Sequence, residues 1–120
     1  DFPAAAAWMK KIRSLDANLY GKLEGEHVDL YLSWSAELAG RGQRSDAISI
    51  VREGIGLRPG NAALYERLGK LLKAARKYKE AAAAFLVAMR LDQDRSPELQ
   101  SQAALCIELE GAPGAVTIDF

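Results

Sequence analysis

Two stretches of this chain match one another at a fixed spacing of 34 residues. Laid over the earlier copy, Tyr65 falls on Tyr31, Leu68 on Trp34, Gly69 on Ser35 and Leu72 on Leu38; Ala81 falls on Ala47, Phe85 on Val51, Ala88 on Gly54 and Leu91 on Leu57. A period of this length narrows the fold more than any other feature of the sequence. It marks a protein built by stacking copies of one supersecondary unit. Within each copy the apolar and small residues recur every three or four positions, which is the spacing of one helix face.

Read in order, the spacing predicts about six helices. The first covers about 4–23, with Ala5, Trp8, Ile12, Leu15, Leu19 and Leu23 on its stripe and Lys10, Lys11, Arg13 and Asp16 facing water. Glu24-Gly25-Glu26 is expected to break it. The second covers about 28–39, with Tyr31, Trp34, Ser35 and Leu38 inward, and is closed by Gly40-Arg41-Gly42, where glycine can take the left-handed conformation that ends helices. Ser45 or Asp46 is expected to cap the third, which stops at Arg58-Pro59-Gly60. Asn61 caps the fourth, about 62–75; the fifth covers about 78–91 and ends at Asp92-Gln93-Asp94. A capping Ser96, then Pro97 at the first helical position, opens the sixth, which runs to about 110 and whose stripe is Leu99, Ala103, Cys106 and Leu109. Gln102 stands where Leu68 stands in the preceding copy, so this last copy is worn. Residues 111–120 are expected to be a loose tail, although Val116, Ile118 and Phe120 alternate with polar residues.

The second copy, with Tyr65, Leu68, Gly69, Leu72, Ala81, Phe85 and Ala88, closely resembles the tetratricopeptide repeat, a helix-turn-helix unit with large and small residues at fixed positions. The first copy keeps Ala47 and Pro59 and departs at Trp34-Ser35; the second departs at Gln93, where the family carries proline. The resemblance covers 28–94. It implies an all-α protein, a right-handed α-solenoid of tetratricopeptide-like repeats, in one domain. Residues 1–26 would be a flanking helix, 28–61 the first repeat, 62–95 the second, 96–110 a degenerate capping half-repeat and 111–120 a tail. The small residues Ser35, Ala47, Gly54, Gly69, Ala81 and Ala88 let helices approach; Tyr31, Trp34, Tyr65 and Phe85 fill the gaps. Tyr31 to Glu37 followed by Asp46-Ala47-Ile48 also faintly resembles the half-a-tetratricopeptide repeats of RNA-processing factors, and pentatricopeptide RNA readers have a similar repeat length. The half-a-tetratricopeptide type lacks its tryptophan in the second copy, and pentatricopeptide readers need a basic groove.

Sixteen basic and sixteen acidic side chains cancel, so nothing draws the chain as a whole to phosphate backbones, and nucleic acid is not an expected partner. No apolar run approaches the ~20 residues of a membrane span, and no signal peptide is visible. A chain opening on Asp1 is expected to be a processed form or a piece of something longer. Cys106 is the one cysteine; a cytoplasmic setting is favoured, with the periplasm as the alternative. On its apolar stripe Cys106 reads as a small buried hydrophobe. His27, the only histidine, reads as a surface residue near a helix start and not as a metal ligand. Gly54 to Gly60 has no lysine-serine pair after it and is no phosphate loop. No acid/base pair and no nucleophile with a base stands out. The chain is therefore not expected to be an enzyme, and no cofactor or metal is expected.

What remains is binding. In proteins of the resembling family the first helix of each pair lines a concave groove that takes extended or helical peptides. The resemblance places Asp29, Leu32, Ala36 and Ala39 there from the first copy, Ala63, Glu66, Lys70 and Lys73 from the second, and Gln100, Ala104 and Ile107 from the third. Leu32 and Ala36 occupy places where a clamp for a terminal carboxylate would begin with charge and amide, so such a clamp is not expected. The groove is apolar at one end and basic at the other, within the run Lys70, Lys73, Arg76, Lys77 and Lys79. An amphipathic protein or peptide segment with an acidic flank suits it. The expected function is a non-catalytic interaction scaffold. The alternatives are a self-associating homo-oligomer, or an accessory segment of a larger enzyme or secretion machine.

Overall fold

A computed structural model describes residues 1–111; the alternating tail residues Val116, Ile118 and Phe120 lie outside the described residues. Among those described, the chain forms seven α-helices and no strand. They are α1 (Phe2–Leu15), α2 (Ala17–Lys22), α3 (Glu24–Gly40), α4 (Arg44–Leu57), α5 (Ala62–Ala74), α6 (Tyr78–Leu91) and α7 (Ser96–Glu110), with a 3₁₀ turn at Gln93–Arg95 before the last. Contacts divide the chain into two units, Asp1–Pro59 and Gly60–Phe120.

In the first unit α3 and α4 form a helix-turn-helix pair. Tyr31, Ser35, Ala47 and Val51 are fully buried. The Tyr31 hydroxyl donates to Glu53 Oε2 at 2.7 Å, fixing the middle of α3 against the second half of α4. Phe2 of α1 stacks on Trp34 with ring centroids 6.1 Å apart. In the second unit α6 packs on both α5 and α7. Phe85, Ala81 and Ala88 of α6 are sealed against Leu64, Leu68 and Leu72 of α5 and Leu99, Ala103 and Cys106 of α7. The helices come very close where the sequence predicts it: a Cβ added at Gly69 would lie 2.9 Å from three atoms of the Phe85 ring.

The 34-residue period recurs in the backbone. The Gln43 amide bonds to Leu38 O and the Lys77 amide to Leu72 O, each at 2.9 Å. Arg58 N to Gly54 O and Asp92 N to Ala88 O close the second helices of the two pairs, at 2.8 and 2.9 Å. The left-handed residue of the first turn is Gly42, at φ +81°; its counterpart is Arg76, at φ +64°.

Four local expectations are corrected. The first predicted helix is two helices, because the Asp16 side chain accepts from the Leu19 amide at 3.0 Å and its backbone leaves the helix at φ −152°. A short carboxylate that can bond nearby amides caps a new helix more readily than it continues an old one. The expected stripe is also out of phase within α1, whose buried and half-buried side chains are Phe2, Ala5, Ala6, Met9 and Ile12: Trp8 is 61% exposed and Leu15 76%. Glu24-Gly25-Glu26 is no break but the first turn of α3, where acidic side chains suit the positive end of the helix dipole. Neither Ser45 nor Asp46 caps α4, which begins at Arg44 with no side-chain cap, and Ser96 is the first residue of α7 and not its cap. His27 is not on the surface. It is fully buried, its Nδ1 accepting from Arg58 Nε at 3.1 Å. Cys106 is buried as expected, and burial pushes its thiol pKa up, against the pull of the Lys73 charge.

Candidate binding surface

Helix α5 turns Leu64, Leu68, Gly69, Leu71 and Leu72 inward. Glu66, Lys70 and Lys73, spaced four and three residues apart, are left along another face. That face meets α7. Glu66 is gripped through both carboxylate oxygens by Arg95, which also reaches Glu98 at 2.8 Å. One helical turn on, Lys70 Nζ lies 3.4 Å from Glu66 Oε2. At the far end Lys73 Nζ donates to Gln102 Oε1 at 3.2 Å. Both pairs across the two helices are separated by 29 residues, so α5 runs parallel to the chain segment 95–102. Between them opens a cavity of about 430 Å³ lined by Lys70, Lys73, Ala74, Tyr78, Gln102 and Leu109.

The charges in this groove are unequally held. Arg95 provides the strongest hold on Glu66 and keeps its carboxyl below the usual range, with Lys70 acting in the same direction and burial opposing it. Lys70 thus shares a carboxylate that already has a forked partner, and its side chain is 61% exposed. The Lys73 bond goes to a neutral amide. Both ammonium groups stand at an opening whose remaining walls are a tyrosine, an alanine, an amide and a leucine. Such a surface accepts an anionic group beside an apolar one.

The structure brings Glu66, Lys70 and Lys73 onto one wall. It does not bring Gln100 and Ile107 to the facing wall. Both are exposed, and Ile107 lines a separate shallow pocket with Ser101, Ala104, Leu105 and Glu108. The facing wall is Arg95, Gln102 and Leu109, which recur every seven residues. Gln102 and Ile107 are five residues apart, hence roughly 140° apart around α7. In the first unit Asp29, Leu32, Ala36 and Ala39 share a face of α3. Asp29 and Ala36 are exposed, Leu32 and Ala39 half-buried. That face carries one charge and is otherwise apolar. Ala63 is half-buried at the start of α5. Arg95, Gln102 and Leu109 were absent from the expected groove; their seven-residue recurrence was the signal that could have found them.

Among the described residues no helix is long and apolar enough to cross a membrane, and no three His, Cys, Asp or Glu side chains gather as metal ligands do. The chain matches no model of a known protein family, and a search of curated proteins returns no match.

Proposed function

We propose that this chain is a non-catalytic interaction module of tetratricopeptide type, whose repeats form a right-handed solenoid and whose groove binds an amphipathic peptide or helix with an acidic flank. The groove between α5 and α7 carries the reading: two lysines beside Tyr78 and Leu109 at an open cavity of about 430 Å³. The repeat assignment is supported by the 34-residue recurrence of both side chains and turn hydrogen bonds. The apolar face of α3, with Leu32 at its centre, is the second element of the same reading.

Fluorescence anisotropy with labelled helical peptides, each apolar on one face and Asp/Glu-rich at one end, tests it. Lys70→Glu combined with Lys73→Glu should weaken binding roughly tenfold, since each exposed charge contributes up to about 1 kcal/mol. Leu32→Arg should weaken binding at the other element. Unchanged affinity in the lysine variant, or a loss that comes with loss of helical circular dichroism, would remove the groove assignment.

Self-association is favoured by one observation: Ile107 and Leu105 on α7 and Trp8 on α1 are large apolar side chains left exposed. Light scattering at high concentration separates the two readings, because a strictly monomeric chain has no use for those side chains in self-contact.

A further inference from the structure

The first unit holds a buried polar cluster that the groove does not use. Arg58 follows α4 directly and is 8% exposed. Its guanidinium lies 3.8 Å from the centroid of the Tyr20 ring, and its Nη2 donates to the Tyr20 carbonyl at 2.5 Å. Its Nε donates to His27 Nδ1. One arginine thus ties α2, through Tyr20, to α3, through His27. Helix α2 has few other ties, having six residues and none of them buried. Helix α1 adds the Phe2–Trp34 stack and a long Lys10–Glu53 contact at 3.8 Å.

The geometry fixes the protonation state of His27. A ring nitrogen that accepts from a guanidinium carries no proton, so the imidazole is neutral with its hydrogen on Nε2. Nε2 is buried without a partner, as is the Tyr20 hydroxyl. The cluster is therefore already short of hydrogen bonds. A proton arriving at Nδ1 would set N–H against N–H at 3.1 Å and place two cations side by side.

We propose that the His27–Arg58 pair is an acid-sensitive latch: when His27 takes up a proton, Arg58 lets go of the Tyr20 carbonyl and ring, and α1–α2 comes away from the α3–α4 pair.

The groups around His27 act in both directions. Arg58 from the end of α4 and Lys10 from α1 oppose a second positive charge, while Glu53 from α4 favours it. Glu53 is itself held by the Tyr31 hydroxyl and faces Lys10. The Tyr20 and Tyr31 rings, 5.5 and 5.2 Å from the imidazole, exclude water. Burial is the largest influence on His27 and lowers its pKa, with the Arg58 charge next. For a histidine whose folded pKa lies below its unfolded value of about 6.5, the closed state is fully stable above that value. Its stability falls as pH drops towards the folded pKa. One proton is involved, so the opening constant rises by up to about tenfold for each pH unit in that window.

His27 is the only histidine, so its resonance can be titrated by NMR without assignment ambiguity. Hydrogen exchange, expressed as protection factors to remove the intrinsic pH dependence, should show residues 2–22 losing protection between pH 7.5 and 5.0. The midpoint should coincide with the His27 titration, and α3 to α7 should stay protected. His27→Gln supplies a non-titrating acceptor for Arg58 and should keep residues 2–22 protected at both pH values. The latch is refuted if His27→Gln loses the same protection, if the wild type stays closed with His27 protonated, or if α3 and α4 open together with α1–α2. Should His27→Gln fail to fold, the wild-type midpoints decide: coincidence supports the latch, and a separation above one pH unit overturns it.

Discussion

Gly69→Ala is the sharpest test of close packing in the second unit. The added Cβ would sit at the same 2.9 Å from Cε1, Cζ and Cε2 of Phe85. Three equal distances put it over the face of the ring near its tip. An unstrained carbon–carbon contact is about 3.5–4.0 Å, so ring or helix must move by roughly 0.6–1 Å. Phe85 is fully buried between Ala81 and Ala88, which are also fully buried, and has no free volume to move into. Overpacking of this kind costs about 1–3 kcal/mol, while the better helix propensity of alanine returns about 1 kcal/mol. The expected net loss is about 0–2 kcal/mol in urea unfolding followed by circular dichroism, against a gain in the control. Gly56→Ala is the control. That site lies in α4 with open space around the added carbon, and the change should stabilise by about 0.5 kcal/mol. In a Phe85→Leu background the cost of Gly69→Ala should largely disappear, because the two residues touch. A Gly69→Ala protein as stable as the Gly56→Ala control, or a cost unchanged by Phe85→Leu, would refute the argument.

Two further outcomes are expected. Arg76 occupies the left-handed position that Gly42 holds in the other turn, so Arg76→Gly should stabilise the second unit by about 0.5–1 kcal/mol in the same unfolding assay. Glu66→Gln removes the carboxylate held by Arg95 and Lys70 and should cost about 1–2 kcal/mol at pH 7. Because the folded pKa of Glu66 is depressed, that contribution is present above its unfolded pKa and is lost as pH falls through the folded one; unfolding midpoints of wild type and Glu66→Gln should therefore converge in acid.

Much of the core was legible because its signal is long and periodic. Tyr31, Ala47, Val51, Ala81, Phe85, Ala88, Leu99, Ala103 and Cys106 all sit where the three-and-four spacing puts them. Single residues that change the local geometry were less visible. Asp16 lies among residues that continue an apolar stripe, yet one side-chain hydrogen bond restarts the helix; within α1 itself the packed face runs through Ala5, Ala6, Met9 and Ile12 and leaves Trp8 and Leu15 outside it. The sequence neighbours of His27, Glu26 and Asp29, face solvent, and nothing in them shows that His27 is buried. Its own environment is made by Arg58, 31 residues away, and by Tyr20 from the separate helix that Asp16 creates. A pairwise contact over that distance has no local periodicity to announce it.

The groove shows a different kind of limit. The 34-residue period states which residues are equivalent in successive copies, and so places Gln100 and Ile107 alongside Glu66 and Lys73. A binding cleft is made by neighbours and not by equivalents. Across α5 and α7 the neighbours are 29 residues apart, Glu66 with Arg95 and Lys73 with Gln102. The difference of five residues turns the α7 wall by roughly 140°. Equivalence therefore puts Glu66, Lys70 and Lys73 on one face of α5, while the α7 side chains across from them are Arg95, Gln102 and Leu109 and not Gln100 and Ile107. The side chains facing Lys70 and Lys73 are set by how far one helix slides along the next, a quantity fixed by the packing of Phe85 against Gly69 and of α6 against Ala103 and Cys106. Small residues at the contacts are thus what decide the chemistry of the opening, because they set the depth and slide of the helices that carry its charged groups.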